Sequence, residues 1–139
     1  MRITLFGATG GVGSHLLNKA LAAGYEVKAL VRTPKKLNEH SNLSALKGDV
    51  TSPSDVAKVI LSADVVVSCL GNIKGVLIME KAAKTILQAA AAQSNPPRCL
   101  FVSSIGCGGS SWIVLQILRL INGRAGLEDY ERADALISR

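Results

Sequence analysis

The chain has 139 residues, of which 48% are hydrophobic, 4% aromatic and 19% charged, and its formal net charge is +6. This composition is typical of one globular domain that folds without disulfides or a metal, and it excludes disordered and collagen-like chains. No stretch approaches the ~20 uncharged apolar residues that span a bilayer, and no secretory signal precedes the first predicted strand. We therefore expect a cytoplasmic protein without a membrane span.

Cysteine, histidine and basic residues exclude further classes. Cys69, Cys99 and Cys107 are odd in number, and neither they nor the two histidines show a metal-ligand spacing, so no disulfide framework and no metal site are predicted. A positive charge suits anionic ligands. The longest basic run is only Lys35-Lys36, without alternating aromatic residues, so we expect no nucleic-acid partner.

Short β-rich runs alternate with helical stretches along the chain. In chain order, the pattern predicts a strand over Arg2–Phe6, a helix over Gly11–Ala23, a strand over Glu26–Val31, a short helix over Pro34–Glu39, a strand over Leu43–Lys47, a helix over Pro53–Leu61, a strand over Asp64–Leu70, a helix over Val76–Gln93, a strand over Arg98–Ser103, and helices over Trp112–Ile121 and Leu127–Ser138. The continuous apolar run Val65–Val67 indicates a strand buried on both faces, as in parallel sheets.

This alternation predicts βαβ units and therefore an α/β fold, a doubly wound parallel sheet with helices on both faces. We expect the strand order 3-2-1-4-5 of a Rossmann fold. Ligands of such sheets bind beyond the carboxyl ends of the strands, at the switch point between strands 1 and 4. The segments at those ends, which we expect to converge on one crevice, are Gly7–Gly13, Arg32, Asp49, Leu70–Gly71 and Ser103–Ser104.

A glycine loop with the spacing G-x-x-G-x-x-G joins the first strand to the first helix. Gly7 permits the tight turn, Gly10 removes the Cβ that would block a pyrophosphate, and Gly13 lets the helix pack close to the sheet. The helix N-terminus offers N–H groups and a partial positive charge to the phosphates. Because the triplet lies between a strand and a helix, we favour dinucleotide binding over an ordinary glycine-rich turn.

Two further positions concern the adenosine end of a dinucleotide. Arg32 ends the second predicted strand, where an acidic residue favours NAD; the guanidinium suits the 2′-phosphate of NADP instead, and Lys36 adds charge nearby. We therefore expect NADP, the alternative being a solvated arginine. Asp49 follows the third strand and can accept a hydrogen bond from the adenine amino group while Val50 packs on the ring. The alternative is a turn aspartate that serves the next helix.

These motifs together resemble one family. Gly7–Gly13, Leu30–Arg32, Gly48–Val50, Leu70–Gly71 and Val102–Ser104 look like the atypical short-chain dehydrogenases/reductases, the NAD(P)H-binding NmrA-like proteins, which include biliverdin and flavin reductases. The resemblance covers nearly the whole chain and implies an NADP-binding Rossmann domain. The cofactor contacts that it implies are Gly7, Thr9, Gly10, Val12, Gly13, Arg32, Asp49, Leu70, Gly71 and Ser103. Lys36 stands where the flavin reductases have a second arginine, so the charge is kept and the planar fork is lost.

Catalytic residues are predicted at the end of the fifth strand. Ser103 and Ser104 lie above the expected nicotinamide, where a hydroxyl can bind a substrate carbonyl or donate a proton; a capping role is the alternative. Short-chain dehydrogenases of the common type use Tyr-x-x-x-Lys, whereas Asp134 stands one turn after Tyr130 here. Because a neighbouring anion opposes ionisation of the hydroxyl, Tyr130 is interpreted as structural. Cys69 is interpreted as a small buried residue.

Two functions fit these residues. The first is an NADP-binding domain of a reductase that transfers a hydride from NADPH to a small carbonyl, quinone or flavin-like acceptor. The second is a non-catalytic NADP-binding regulator that acts through a protein partner, as NmrA-like proteins can. The apolar segment Trp112–Ile121 suits a substrate pocket, a partner surface or self-association. Relatives continue with another strand and a substrate-side segment, whereas this sequence stops at Arg139. We therefore expect a sheet truncated before strand 6, in either a fragment or a short natural form that kept the cofactor half.

Overall fold

The computed structural model of the chain describes residues 1–71, 77–102 and 124–138. Ser103, Ser104 and the predicted helix Trp112–Ile121 lie outside these residues. The chain divides into two compact units, one formed by residues 1–70 and 85–102 and the other by residues 71–84 and 103–139. Within the described segments, no helix has the length and apolar character to cross a membrane. The same segments contain no cluster of His, Cys, Asp and Glu suited to a metal ion.

The first unit contains a parallel five-stranded sheet. Its strands are β1 (Arg2–Phe6), β2 (Glu26–Val31), β3 (Leu43–Lys47), β4 (Val65–Ser68) and β5 (Arg98–Phe101). Their order is β3-β2-β1-β4-β5, and every neighbouring pair is parallel. The predicted doubly wound arrangement is thereby confirmed. Phe6, the last residue of β1, lies opposite Leu30 of β2 and Ser68 of β4, so the carboxyl ends of these three strands lie side by side.

The helices lie close to their predicted positions; all but the last are shorter than predicted, and the last begins three residues before its predicted start at Leu127. They are α1 (Gly11–Ala22), α2 (Pro53–Ile60), α3 (Met79–Ala91) and α4 (Arg124–Ile137), and a 3-10 helix covers Pro34–Lys36. Ser52 caps α2, since its hydroxyl accepts the N–H of Asp55 at 3.4 Å, and Pro53 follows at the first helical position. Local capping chemistry therefore explains why α2 begins at its predicted residue.

Apolar side chains cover both faces of the sheet. Leu5 and Phe6 are adjacent on β1 and point to opposite faces, as the pleat requires. The layer around Leu5 includes Leu17 and Ala20 of α1, and the layer around Phe6 includes Val56, Val59 and Ile60 of α2 together with Ile86. Thr4, which is buried, donates its hydroxyl to the carbonyl of Val59 at 2.9 Å. This hydrogen bond ties the end of α2 to β1 and satisfies a polar group within the core.

Candidate functional site

The loop between β1 and α1 turns sharply at Gly7. The residue has a φ of +79°, and a Cβ built on it would lie 2.6 Å from the carbonyl oxygen of Cys69. Both features require glycine, because an L side chain is strained at this φ and a backbone carbonyl has little room to move. The Gly7 carbonyl accepts the N–H of Gly10 at 3.0 Å and closes the turn. Gly7 therefore brings the end of β1 against the residues that follow β4.

Gly10 is the N-cap of α1. It has no side chain to cap the helix, and the first turn contains no acidic residue. The N–H groups of that turn and the positive end of the helix dipole therefore remain open to an anion. Among the described residues, a Cβ on Gly10 would contact only the Gly7 carbonyl oxygen, at 3.4 Å, an ordinary van der Waals distance. The packing of the described residues therefore does not by itself require glycine at this position.

Gly13 lies against the residues that directly follow β1. A Cβ on Gly13 would overlap the carbonyl oxygen of Gly7 and lie 3.2 Å from the Cα of Ala8. Because Gly7 and Ala8 directly follow β1, glycine at this position lets α1 begin close to the end of that strand, in agreement with the predicted close packing. Thr9 and Val12 are exposed beside this loop, Val12 with 57% of its surface accessible. An exposed valine on the first turn offers apolar surface to whatever occupies the helix N-terminus.

Basic residues follow β2. The Arg32 side chain is exposed and forms no ion pair or hydrogen bond with the residues that the structure describes. Lys36 is also exposed and ends the 3-10 helix. The Gly48 N–H donates to the Val31 carbonyl at 3.1 Å, which keeps the chain after β3 beside the end of β2. The guanidinium is thus free to bind an anionic group at the carboxyl edge of the sheet.

Asp49 has a local structural role. Its Oδ1 accepts hydrogen bonds from the N–H and the hydroxyl of Thr51, both at 2.7 Å, and its own N–H donates to Oδ2 of Asp55 at 3.1 Å. This is the turn aspartate that the sequence left open as the alternative. An adenine amino group would therefore share a carboxylate that already accepts two hydrogen bonds. Val50 is half-buried and packs against the core layer around Phe6.

Two half-buried residues, Cys69 and Leu70, follow β4. Leu70 packs against the layer around Phe6 and Cys69 against the layer around Leu5. Burial raises the pKa of the Cys69 thiol. Since the thiolate is the nucleophilic form, a thiol held protonated agrees with the interpretation of Cys69 as a packing residue.

In the second unit, α4 contacts the other segment of that unit at Gly71 and at the start of α3. A Cβ on Gly71 would lie 3.1 Å from the hydroxyl oxygen of Tyr130. The buried Asp129 accepts the N–H of Met79 at 2.8 Å through Oδ2 and the N–H of Glu80 at 3.1 Å through Oδ1. Sequence reasoning missed this cap, because its carboxylate comes from 50 residues away and no local pattern marks it.

The structure thus places most predicted cofactor residues in the loops and first helical turns that follow the strands of the first unit. Those residues are Gly7, Thr9, Gly10, Val12, Gly13, Arg32, Lys36, Asp49, Val50 and Leu70. Gly71 belongs to the second unit. The predicted catalytic pair, Ser103 and Ser104, lies outside the described residues. Within the described part of the first unit, three features suited to anionic groups follow the strands: the glycine turn, the N-terminus of α1 without a side-chain cap, and the exposed Arg32 guanidinium.

Comparison with protein families agrees with this arrangement. The model of a family described as NAD(P)H-binding matches residues 7–139, nearly the whole chain. The match begins at the first glycine of the loop, so it includes every predicted cofactor position.

Three solved structures resemble the chain in fold. The oxidoreductase ylbE of Lactococcus lactis is 22% identical with a TM-score of 0.81, over 100% of this chain and 64% of that one. ChuY of Escherichia coli O157:H7, an anaerobillin reductase, is 24% identical with a TM-score of 0.79, over 99% of this chain and 66% of that one. A short-chain dehydrogenase/reductase of Veillonella parvula in complex with NADP is 17% identical with a TM-score of 0.79, over 98% of this chain and 63% of that one. This likeness shows the Rossmann fold, and the chain spans less than two thirds of each of these proteins.

Proposed function

The chain belongs to the NAD(P)H-binding family, and we propose that it is the NADP-binding domain of an atypical short-chain reductase. In this proposal the reductase transfers a hydride from NADPH to a small carbonyl, quinone or flavin-like acceptor. The cofactor supplies the hydride, and the chain binds and orients it. The observation that carries the proposal is the exposed Arg32, which lies after β2 without an anionic partner among the described residues.

The strand order supports a specific orientation of the cofactor. In this proposal the pyrophosphate lies on the N-terminus of α1, since Gly10 leaves the N–H groups open there. The strand β2 is the neighbour of β1 on one side, about 4.8 Å away, so a ribose phosphate beside the pyrophosphate is within reach of Arg32. The nicotinamide half then extends to the other side of β1, over β4. Leu70, which follows β4, is therefore assigned to that half.

Arg32→Ala tests the choice of cofactor. A charge-assisted hydrogen bond contributes about 1.5–3 kcal/mol, so we expect the variant to bind NADPH roughly 10- to 150-fold more weakly. NADH lacks the 2′-phosphate, and its affinity should hardly change. The measurement is a fluorescence titration of both cofactors into both proteins. Lys36→Ala is the matched control, because it removes a nearby ammonium charge that cannot bind a phosphate in the bidentate manner of a guanidinium. Its loss of NADPH affinity should be smaller. Equal affinity of the unmodified chain for NADPH and NADH would contradict the proposal.

Steady-state oxidation of NADPH tests the reaction itself. The acceptors are a panel of quinones, flavins and aldehydes, and oxidation that depends on one of them supports the reductase. The second candidate is a non-catalytic NADP-binding regulator with a protein partner. One observation favours it: Asp134 follows Tyr130 by one turn, where the common short-chain dehydrogenases have lysine. Tight binding of NADPH without turnover on any acceptor would favour this regulator.

A further inference from the structure

Basic side chains lie at the carboxyl ends of β2 and β3, within the first unit. Arg32 directly follows β2, and Lys36 ends the 3-10 helix that comes next. Lys47 is the last residue of β3, a further cation that neither the glycine loop nor the arginine position marks in the sequence. All three side chains are exposed, and none forms an ion pair or a hydrogen bond with a residue that the structure describes.

The register of the sheet places Lys47 beside Arg32. Lys47 lies opposite Val31 on the neighbouring strand, and Arg32 is the residue that follows Val31. The N–H of Gly48 donates to the Val31 carbonyl at 3.1 Å, so the pairing continues to the ends of both strands. Because neighbouring strands are about 4.8 Å apart, one phosphate beyond the end of β2 is within reach of both the guanidinium and the ammonium group.

The alternation of side chains along β3 assigns Lys47 to one face of the sheet. Leu43 packs in the apolar layer that contains α1, and Leu46 packs in the layer that contains α2. Lys47 is an even number of residues from Leu43, so it belongs to the face that α1 covers. Leu37, which follows the 3-10 helix, packs in the same layer as α1. Lys47 and the N-terminus of α1 are therefore on the same side of the sheet.

We infer that Lys47 is a specificity-determining residue that binds the 2′-phosphate of NADP together with Arg32. This inference rests on the proposed function. A phosphate monoester carries about two negative charges near pH 7, whereas one guanidinium supplies a single positive charge. The Lys47 ammonium group is a compact donor that can bind an oxygen left free by the planar guanidinium. NADH has a hydroxyl group in place of this phosphate, so Lys47 contributes little to its binding.

Lys47→Gln is tested with two ligands that differ only in the 2′-phosphate. Adenosine 2′,5′-bisphosphate carries this group, and adenosine 5′-monophosphate lacks it. We expect the variant to bind the bisphosphate about fivefold more weakly and to change the affinity for the monophosphate less than about twofold. Isothermal titration calorimetry measures both affinities. Lys47→Arg keeps the charge, so it should retain most of the affinity for the bisphosphate.

Lys19→Gln is the matched control, since it removes the same charge at a distant place. Lys19 is exposed in the last turn of α1, at the opposite end of that helix from the proposed pyrophosphate site. We expect this variant to change neither affinity. Salt gives a second measurement, because it screens exposed charges. The preference for the bisphosphate should fall less steeply with ionic strength in Lys47→Gln than in the unmodified chain, and equal salt dependence would contradict a role for the ammonium charge.

The outcomes separate this inference from the proposed function. If the unmodified chain prefers the bisphosphate and Arg32→Ala loses that preference, an unchanged preference in Lys47→Gln overturns the role of Lys47 alone. Equal losses of both ligands in Lys47→Gln would do the same, since they indicate an effect that does not involve the 2′-phosphate. An unmodified chain without any preference for the bisphosphate would overturn the proposed binding of NADP and this inference with it.

Discussion

Gly10→Val is expected to abolish NADPH binding while the chain keeps its fold. The N-cap has φ −83° and ψ 171°, an extended conformation that valine adopts readily. Among the described residues, a Cβ there meets no atom closer than the Gly7 carbonyl oxygen at 3.4 Å. The added side chain instead occupies the space in front of the first turn of α1, where the pyrophosphate is proposed to bind. The clash is therefore with the ligand and not with the chain.

Gly11→Val is the matched control for this prediction. Gly11 is the next residue of the same loop, and a Cβ on it meets nothing within 4 Å. It is not one of the three spaced glycines, so we expect its variant to retain most of the NADPH affinity. Far-UV circular dichroism and the thermal midpoint report the fold of both variants, and fluorescence titration reports the cofactor. Retained NADPH affinity in Gly10→Val would show that the phosphates bind elsewhere.

The parts of this fold that could be predicted from the sequence are those with local signals. The run Val65–Val67 predicted a strand with both faces covered, and Val66 and Val67 are buried in β4. The predicted start of α2 at Pro53 is confirmed, and the structure shows Ser52 as its cap. Once strands and helices alternate, the handedness of parallel crossovers leaves few topologies, which is why the strand order followed.

The parts that could not be predicted depend on contacts between distant segments. The Asp129 cap joins residues 50 positions apart, and the approach of Tyr130 to Gly71 is longer still in sequence. From the sequence, Asp49 could equally accept a hydrogen bond from adenine or stabilise a turn. The positions of Thr51 and Asp55 in the structure show that its hydrogen bonds are local. The type of a residue and its position after a strand predict that its side chain lies at the carboxyl end of the sheet. They do not predict which protein atoms it binds there.

Close packing was predicted at Gly13, whereas the group that it approaches, the Gly7 carbonyl, is known only from the structure. A Cβ on Gly13 would overlap the carbonyl oxygen of Gly7, and it would lie 2.7 Å from the carbonyl carbon of the same residue. Movement of Gly7 is restricted in two ways. Its carbonyl accepts the Gly10 N–H, and its Cα packs so closely on the backbone of Cys69 that a Cβ would overlap it. Both glycines are therefore needed for the close contact between the Gly7 turn and α1. The glycine spacing of the motif is required by the packing of the chain as well as by the proposed ligand.

Gly13→Ala is accordingly expected to destabilise the folded chain even without cofactor. Relief of the overlap requires movement of α1 or of the Gly7 turn, at a cost of about 3 kcal/mol, which lowers the thermal midpoint by about 10 °C in a domain of this size. Gly11→Ala is the control: its Cβ lies in open space, and alanine is the better helix former, so its midpoint should stay level or rise slightly. Thermal unfolding without ligand measures both variants. Equal midpoints would mean that the Gly7 turn adapts to a methyl group, and that Gly13, like Gly10, is glycine because of the ligand.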